Sequence, residues 1–131
     1  MNDSQADYIQ YRIQRSDEFF KDAELLADNG RWQSCVNRLY YSSFHLIDAL
    51  LSLDGISAKT HEGLKTKFLQ LYVKTDEINK ELGKLYSQLL DWRHESDYSI
   101  FVEFDRNEVL PLIQRVRNLN EILLEKIKSK S

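Results

Sequence analysis

The stretch "GRWQSCVNRLYYSSFHLIDALLSLDG", residues 30 to 55, decides the fold. Within it Trp32, Val36, Leu39, Tyr40, Ser43, Leu46, Ile47 and Leu50 recur at the three-to-four spacing that gathers side chains on one face of an α-helix. Gly30 and Gly55 bound the run, and neither glycine nor proline interrupts it. The spacing predicts a helix over about 31–53. A second stripe runs beside the first: Asn37, Tyr41 and His45 at i, i+4 and i+8, with Arg38 one position round. A helix carrying two stripes is covered on two sides, or is covered on one and lines a pocket with the other. In the first case its Asn and His are satisfied inside by hydrogen bonds.

Working outward, the same periodicity recurs on both sides. A first helix over about 4–28 opens at Asp3 or Ser4, carries Ile9, Ile13, Phe20, Ala23 and Ala27, and closes at "DNG", 28–30, where Gly30 suits a left-handed cap. Thr60 caps a short third helix carrying Leu64, Phe68 and Leu71. "KTDE", 74–77, starts a fourth, with Ile78, Leu82, Leu85, Leu89, Trp92 and Ser96 in register. Asp105 with Glu108 three residues on forms a variant capping box that opens a fifth. The stripe of that helix is Val109, Leu112, Ile113, Val116, Leu119, Leu123 and Ile127, and Pro111 sits near its start, where a missing N–H costs least. "SIFVEF", 99–104, is β-branched and aromatic but has no partner strand, so it reads as a connection that drops Phe101 and Phe104 onto the bundle. The expected fold is all-α, an antiparallel up-and-down bundle of about five helices forming a single domain over 1–131.

Composition supports helices and narrows function. Only 4 glycines and 1 proline occur in 131 residues, too few for the turns of a sheet protein. A net charge of −3 argues against a protein that coats nucleic acid over its whole surface. Charge is uneven, however: residues 31–74 carry 6 basic and 3 acidic side chains, and 75–105 carry 3 and 8, so a local basic face is compatible with the total. Cys35 is the only cysteine, which excludes an intrachain disulfide and a thiolate zinc site. No Glu has a His three residues later and the three histidines make no i, i+4 pair, so neither metal nor cofactor is expected. Without an apolar run near the ~18 residues of a membrane span, or a signal-like N-terminus, the chain reads as cytoplasmic.

The chemistry gathers in "LLDWRHESDY", 89–98. Arg93, His94, Glu95, Asp97 and Tyr98 crowd the end of the fourth helix, either as a polar helix terminus with Arg93 paired to Asp97 at i+4, or as a site. An arginine there can hold a phosphate through two parallel N–H donors. If helices two and four pack side by side, Asn37, Tyr41 and His45 face Arg93, Asp97 and Tyr98 across a cleft. His45 would then be the one group titrating near neutrality.

These segments together resemble the HEPN (higher eukaryotes and prokaryotes nucleotide-binding) domain family, over about residues 8–128. The resemblance rests on the NRxYYxxFH string at 37–45, His61 after the glycine break, and RxxxDY at 93–98. It implies a four- to five-helix bundle and a homodimer that brings two motifs together. It also implies a minimal nucleotidyltransferase as partner, often in a toxin–antitoxin module. Active members are metal-independent ribonucleases with an arginine, a polar residue next and, after four to six intervening residues, a histidine. Arg93 matches the arginine and His94 the polar position, but Tyr98, Ser99 and Ile100 stand where the histidine belongs. Tyr98 occupies the shortest spacing, and a phenol near pKa 10 is a poor base at neutral pH.

Three functions follow. The first is binding of nucleotide or RNA phosphate through Arg93, Asn37, Arg38, Tyr41, His45 and Asp97 beside a nucleotidyltransferase partner. The second is an active endoribonuclease toxin using Arg93, His94 and Tyr98. The third is a non-catalytic interaction bundle. The first is the reading adopted.

Overall fold

The computed structural model describes residues 2–98 and 103–131, giving the backbone alone for residues 96 and 98. Its helices are α1 (Asp3–Asp28), α2 (Trp32–Leu53), α3 (His61–Phe68), α4 (Lys80–Tyr98) and α5 (Arg106–Lys130), and no strand occurs among the described residues. The double stripe of the 32–53 segment is explained by its place. α2 is the spine, with 12 of its 22 residues buried against 4 of 26 in α1.

Side-chain pairings give the directions. Tyr8 meets Asp48, Arg12 meets His45 and Ser16 meets Ser42, so α1 runs antiparallel to α2. Asn37 meets Asp97 and Tyr41 meets Arg93, so α4 is antiparallel to α2 as well. Ser43 meets Asn120 and Asp54 meets Lys130, which makes α5 parallel to α2 and completes an up-down-up-down order of the long helices. One buried seam is polar: the Ser43 hydroxyl donates to Asn120 Oδ1 at 2.8 Å, and Asn120 Nδ2 donates to the Ser42 hydroxyl at 3.0 Å. Satisfied within the core, such a network costs little and fixes the α2–α5 register.

The ends show which local signals hold. Asn2, rather than Asp3 or Ser4, caps α1 by accepting from Gln5 N at 2.8 Å. Gly30 and Gly55 take φ of +69° and +74° after α1 and α2, the left-handed conformation that glycine adopts without strain. Thr60 caps α3, and both halves of the Asp105–Glu108 box are made.

The 69–80 segment departs from its periodicity. After Phe68 the chain widens into a π-helical turn, Leu69–Val73, closed by Lys74 N donating to Leu69 O at 2.8 Å. The extra residue in that turn rotates the inward face by one position, so Tyr72 is buried and Leu71 lies 45 % exposed. α4 therefore begins at Lys80 and not at "KTDE", because Asp76 sits at φ 64° and ends helical continuity. Ile78 is buried from the connecting turn, not from a helix face. Of the 99–104 segment, Phe104 packs on Trp92 with ring centroids 5.6 Å apart, while Phe101 lies outside the described residues.

Candidate functional site

The α2–α4 seam carries the polar cluster because α2 turns Asn37 and Tyr41 toward α4 at one helical turn's separation, and α4 answers with Asp97 and Arg93 at the same spacing. Arg93 is only 13 % exposed and lies over two phenol rings, 5.8 Å from the Tyr40 centroid and 5.7 Å from that of Tyr41. Its Nη2 donates to the Tyr41 hydroxyl at 3.2 Å, and its Nε lies 3.2 Å from Asp97 Oδ2. Burial opposes the guanidinium charge, but the Tyr41 hydroxyl and the Asp97 carboxylate outweigh it and raise the pKa further. Arg93 is thus a permanent cation with a fixed fork.

Asp97 is held from both sides, since Asn37 Nδ2 donates to its Oδ1 at 2.9 Å. Arg38 Nη1 in turn donates to Asn37 Oδ1 at 2.5 Å. Gln33, Ser34, Asn37, Arg38 and Asp97 line a shallow polar cavity of about 230 Å³ at this end of the seam. Asn37 is half-buried rather than enclosed in the core. On the other flank of Arg93 a second cavity of about 370 Å³ is lined by His61, Glu62, Arg93 and His94 among others, and His94 is exposed at its mouth. The Tyr98 side chain lies outside the described residues.

His45 does not join this cluster. It lies on the α1 side of α2, where Arg12 Nη1 donates to its Nδ1 at 2.7 Å and Phe19 stacks on it at 5.3 Å. One further turn along α2 rotates the side chain away from α4, and α1 covers it. Burial, then the charges of Arg12 and Arg15, push its pKa down to about 4, so it is neutral at pH 7. The sequence named it as the neutral-range titrating group of the cleft, and both parts of that expectation are overturned.

Two other groups escaped the sequence reading. His61, noticed only as a landmark of the resemblance, stands at the first position of α3 against the seam, with Nδ1 2.7 Å from the Tyr40 hydroxyl. Arg15 from α1 lies 4.6 Å and Arg38 5.9 Å from the Phe19 ring centroid, and Phe19 stacks on Tyr41 at 5.5 Å. Arginines and aromatic rings thus alternate on this side of α2, with Arg12 paired to Asp48 and Arg15 to Glu18. Only an i, i+3 pattern of Arg12 and Arg15 hinted at it. Among the described residues no three metal-ligating side chains converge, and no helix is long and apolar enough to cross a membrane.

Comparison with known proteins gives the family. The HEPN domain model matches residues 9–127. The chain belongs to the HEPN family. A UPF0332 protein of Thermotoga maritima is 40% identical over 107 residues, covering 82% of this chain and 81% of its own. A UPF0332 protein of Archaeoglobus fulgidus is 27% identical over 94% of both chains. A Methanocaldococcus jannaschii protein named as a candidate toxin is 28% identical, over 79% of this chain and 70% of its own. This HEPN chain thus has toxin-like relatives, and its Arg93 stands on the α2–α4 seam.

Proposed function

We propose that this HEPN protein binds the phosphate of a nucleotide or RNA at the Arg93 seam and works beside a minimal nucleotidyltransferase in a cytoplasmic toxin–antitoxin module. The observation that carries the reading is the seating of Arg93. A guanidinium lying against the Tyr40 and Tyr41 rings, held by the Tyr41 hydroxyl and Asp97 and lining a cavity with His61, Glu62 and His94, is oriented before a ligand arrives. Binding is favoured over cleavage because Tyr98, Ser99 and Ile100 stand where the resemblance places the histidine of active members.

The structural alternative, that Arg93 is an ion-pair residue at a helix terminus, has the Arg93–Asp97 contact in its favour. Calorimetric titration with adenosine monophosphate and with a short oligouridylate separates the two, paired with melting temperatures. Arg93→Ala is expected to weaken binding of at least one probe by about tenfold or more, the scale of a lost charged hydrogen bond. Melting should fall as well, since the variant loses the Tyr41 hydrogen bond and the Asp97 pair of a side chain only 13 % exposed, so affinity of the folded variant is the deciding readout. Unchanged affinity with a large fall in melting temperature would make Arg93 structural.

A further inference from the structure

The second cavity beside Arg93 contains a donor that the function above does not use. His61 enters it from the first position of α3, held there by the Thr60 cap. Its ring is confined by Phe44 at 4.7 Å and Tyr41 at 5.9 Å. Nδ1 is 2.7 Å from the Tyr40 hydroxyl. The Tyr86 hydroxyl donates to the Tyr40 oxygen at 3.3 Å, which leaves the Tyr40 proton for His61. A Tyr40 hydroxyl that donates to Nδ1 requires the ring proton to sit on Nε2, at the opposite edge.

We infer that His61 is the second anchor for the phosphate bound by Arg93, donating its Nε2–H from a neutral imidazole to one phosphate oxygen while the guanidinium holds another. This rests on the reading of Arg93 as a phosphate ligand, and it assigns the α3–α4 cavity to that same phosphate. The charge environment agrees. Burial and then Arg93 lower the basicity of His61, and Asp97 only partly opposes them. Burial holds Tyr40 up to about 12, so it stays protonated and keeps donating. Tyr40 and Tyr41 from α2, Arg93, His94 and Asp97 from α4, and Glu62 from α3 itself are the groups around the imidazole. With Nδ1 occupied by a donor, Nε2 has no lone pair to accept a proton. His61 positions a phosphate and does not act as the base that the family motif lacks here.

The test uses the whole chain with a short oligouridylate lacking terminal phosphates, so that the ligand itself does not titrate. His61→Ala is expected to weaken binding about tenfold. His61→Gln, whose amide N–H can replace the donor, should bind within a few-fold of the natural chain. Affinity of the natural chain should be flat from pH 6 to pH 8. Long-range ¹H–¹⁵N spectra of the natural chain, assigned with His61→Gln, should show the Nε2–H tautomer throughout, a readout that survives if the alanine variant folds poorly. Full affinity in His61→Ala, a steep loss of affinity above pH 6.5, or an Nδ1–H tautomer would each overturn the inference. If Arg93→Ala loses binding and His61→Ala does not, His61 alone is excluded. If the natural chain binds neither oligouridylate nor adenosine monophosphate, the Arg93 reading falls with it.

Discussion

At the residue scale, two histidines at the same bundle show how neighbours decide chemistry. His45 and His61 are both packed on aromatic rings, yet one is hydrogen-bonded to a guanidinium and the other to a phenol. The His45 case has a thermodynamic consequence. Its pKa falls from 6.5 to about 4 on folding, so between those values the unfolded chain binds the extra proton. Its contribution is complete above pH 6.5 and is lost progressively as the pH falls toward 4. Urea midpoints should accordingly decline between pH 6.5 and 5, above the range where most carboxylates titrate. His45→Gln should flatten part of that decline, with His61 contributing in the same direction. A His45 imidazole titrating at or above 6.5 by NMR would contradict this. Asn37 with Tyr41, and Arg93 with Asp97, were each legible as a pair because helical spacing aligns them on one face of their own helix. The placement of His45 was not, because whether α1 or α4 covers a given edge of α2 is a packing outcome that no local pattern encodes.

At the element scale, the legible features were those with local causes: the Gly30 and Gly55 stops, the Thr60 cap, the Asp105–Glu108 box and the α5 stripe. The illegible one was the π turn at Leu69–Val73, whose inserted residue exchanges Leu71 for Tyr72 in the core. Its cause is tertiary. Tyr72 reaches Asp54 with its hydroxyl and lies under the Lys130 ammonium, 5.1 Å from the ring centroid, so the far end of α5 and the α2 terminus hold it in. Gly83 of α4 closes against the same turn. A Cβ there would lie 2.9 Å and 3.0 Å from the Val73 methyls. Alanine would gain ~1 kcal/mol of helix propensity but overpack a stiff β-branched neighbour at ~1–3 kcal/mol. Gly83→Ala is expected to lower stability by about 1 kcal/mol in urea titration, the reverse of the usual effect at a helical glycine. A stabilised variant would show that α4 does not press on the π turn.

At the scale of the whole molecule, α2 acts as a spine whose α1 side is an aromatic and guanidinium layer and whose α4 side holds the Arg93 seam. The bundle order was readable because short connections force long neighbours antiparallel. The polar α2–α5 seam was not, since Asn120 breaks an otherwise apolar stripe and its serine partners look merely small. The HEPN resemblance carries an expectation of pairing. Light scattering should report about twice the 15.5 kDa chain mass, and a persistent monomer at high micromolar concentration would remove the dimer from the account. Trp92 and Phe104 cover one another within one chain, so that dimer draws on the family resemblance and not on bare aromatic surface.

The central claim is that phosphate binds at the α2–α4 seam, and an amide chemical-shift titration of the ¹⁵N-labelled protein tests it most directly. With adenosine monophosphate or a short oligouridylate, the account predicts shifts concentrated at residues 33–41, 61–62 and 90–97. Shifts clustered instead in the α1–α5 groove around Phe20, Arg117 and Leu124, or none at saturating ligand, would contradict it.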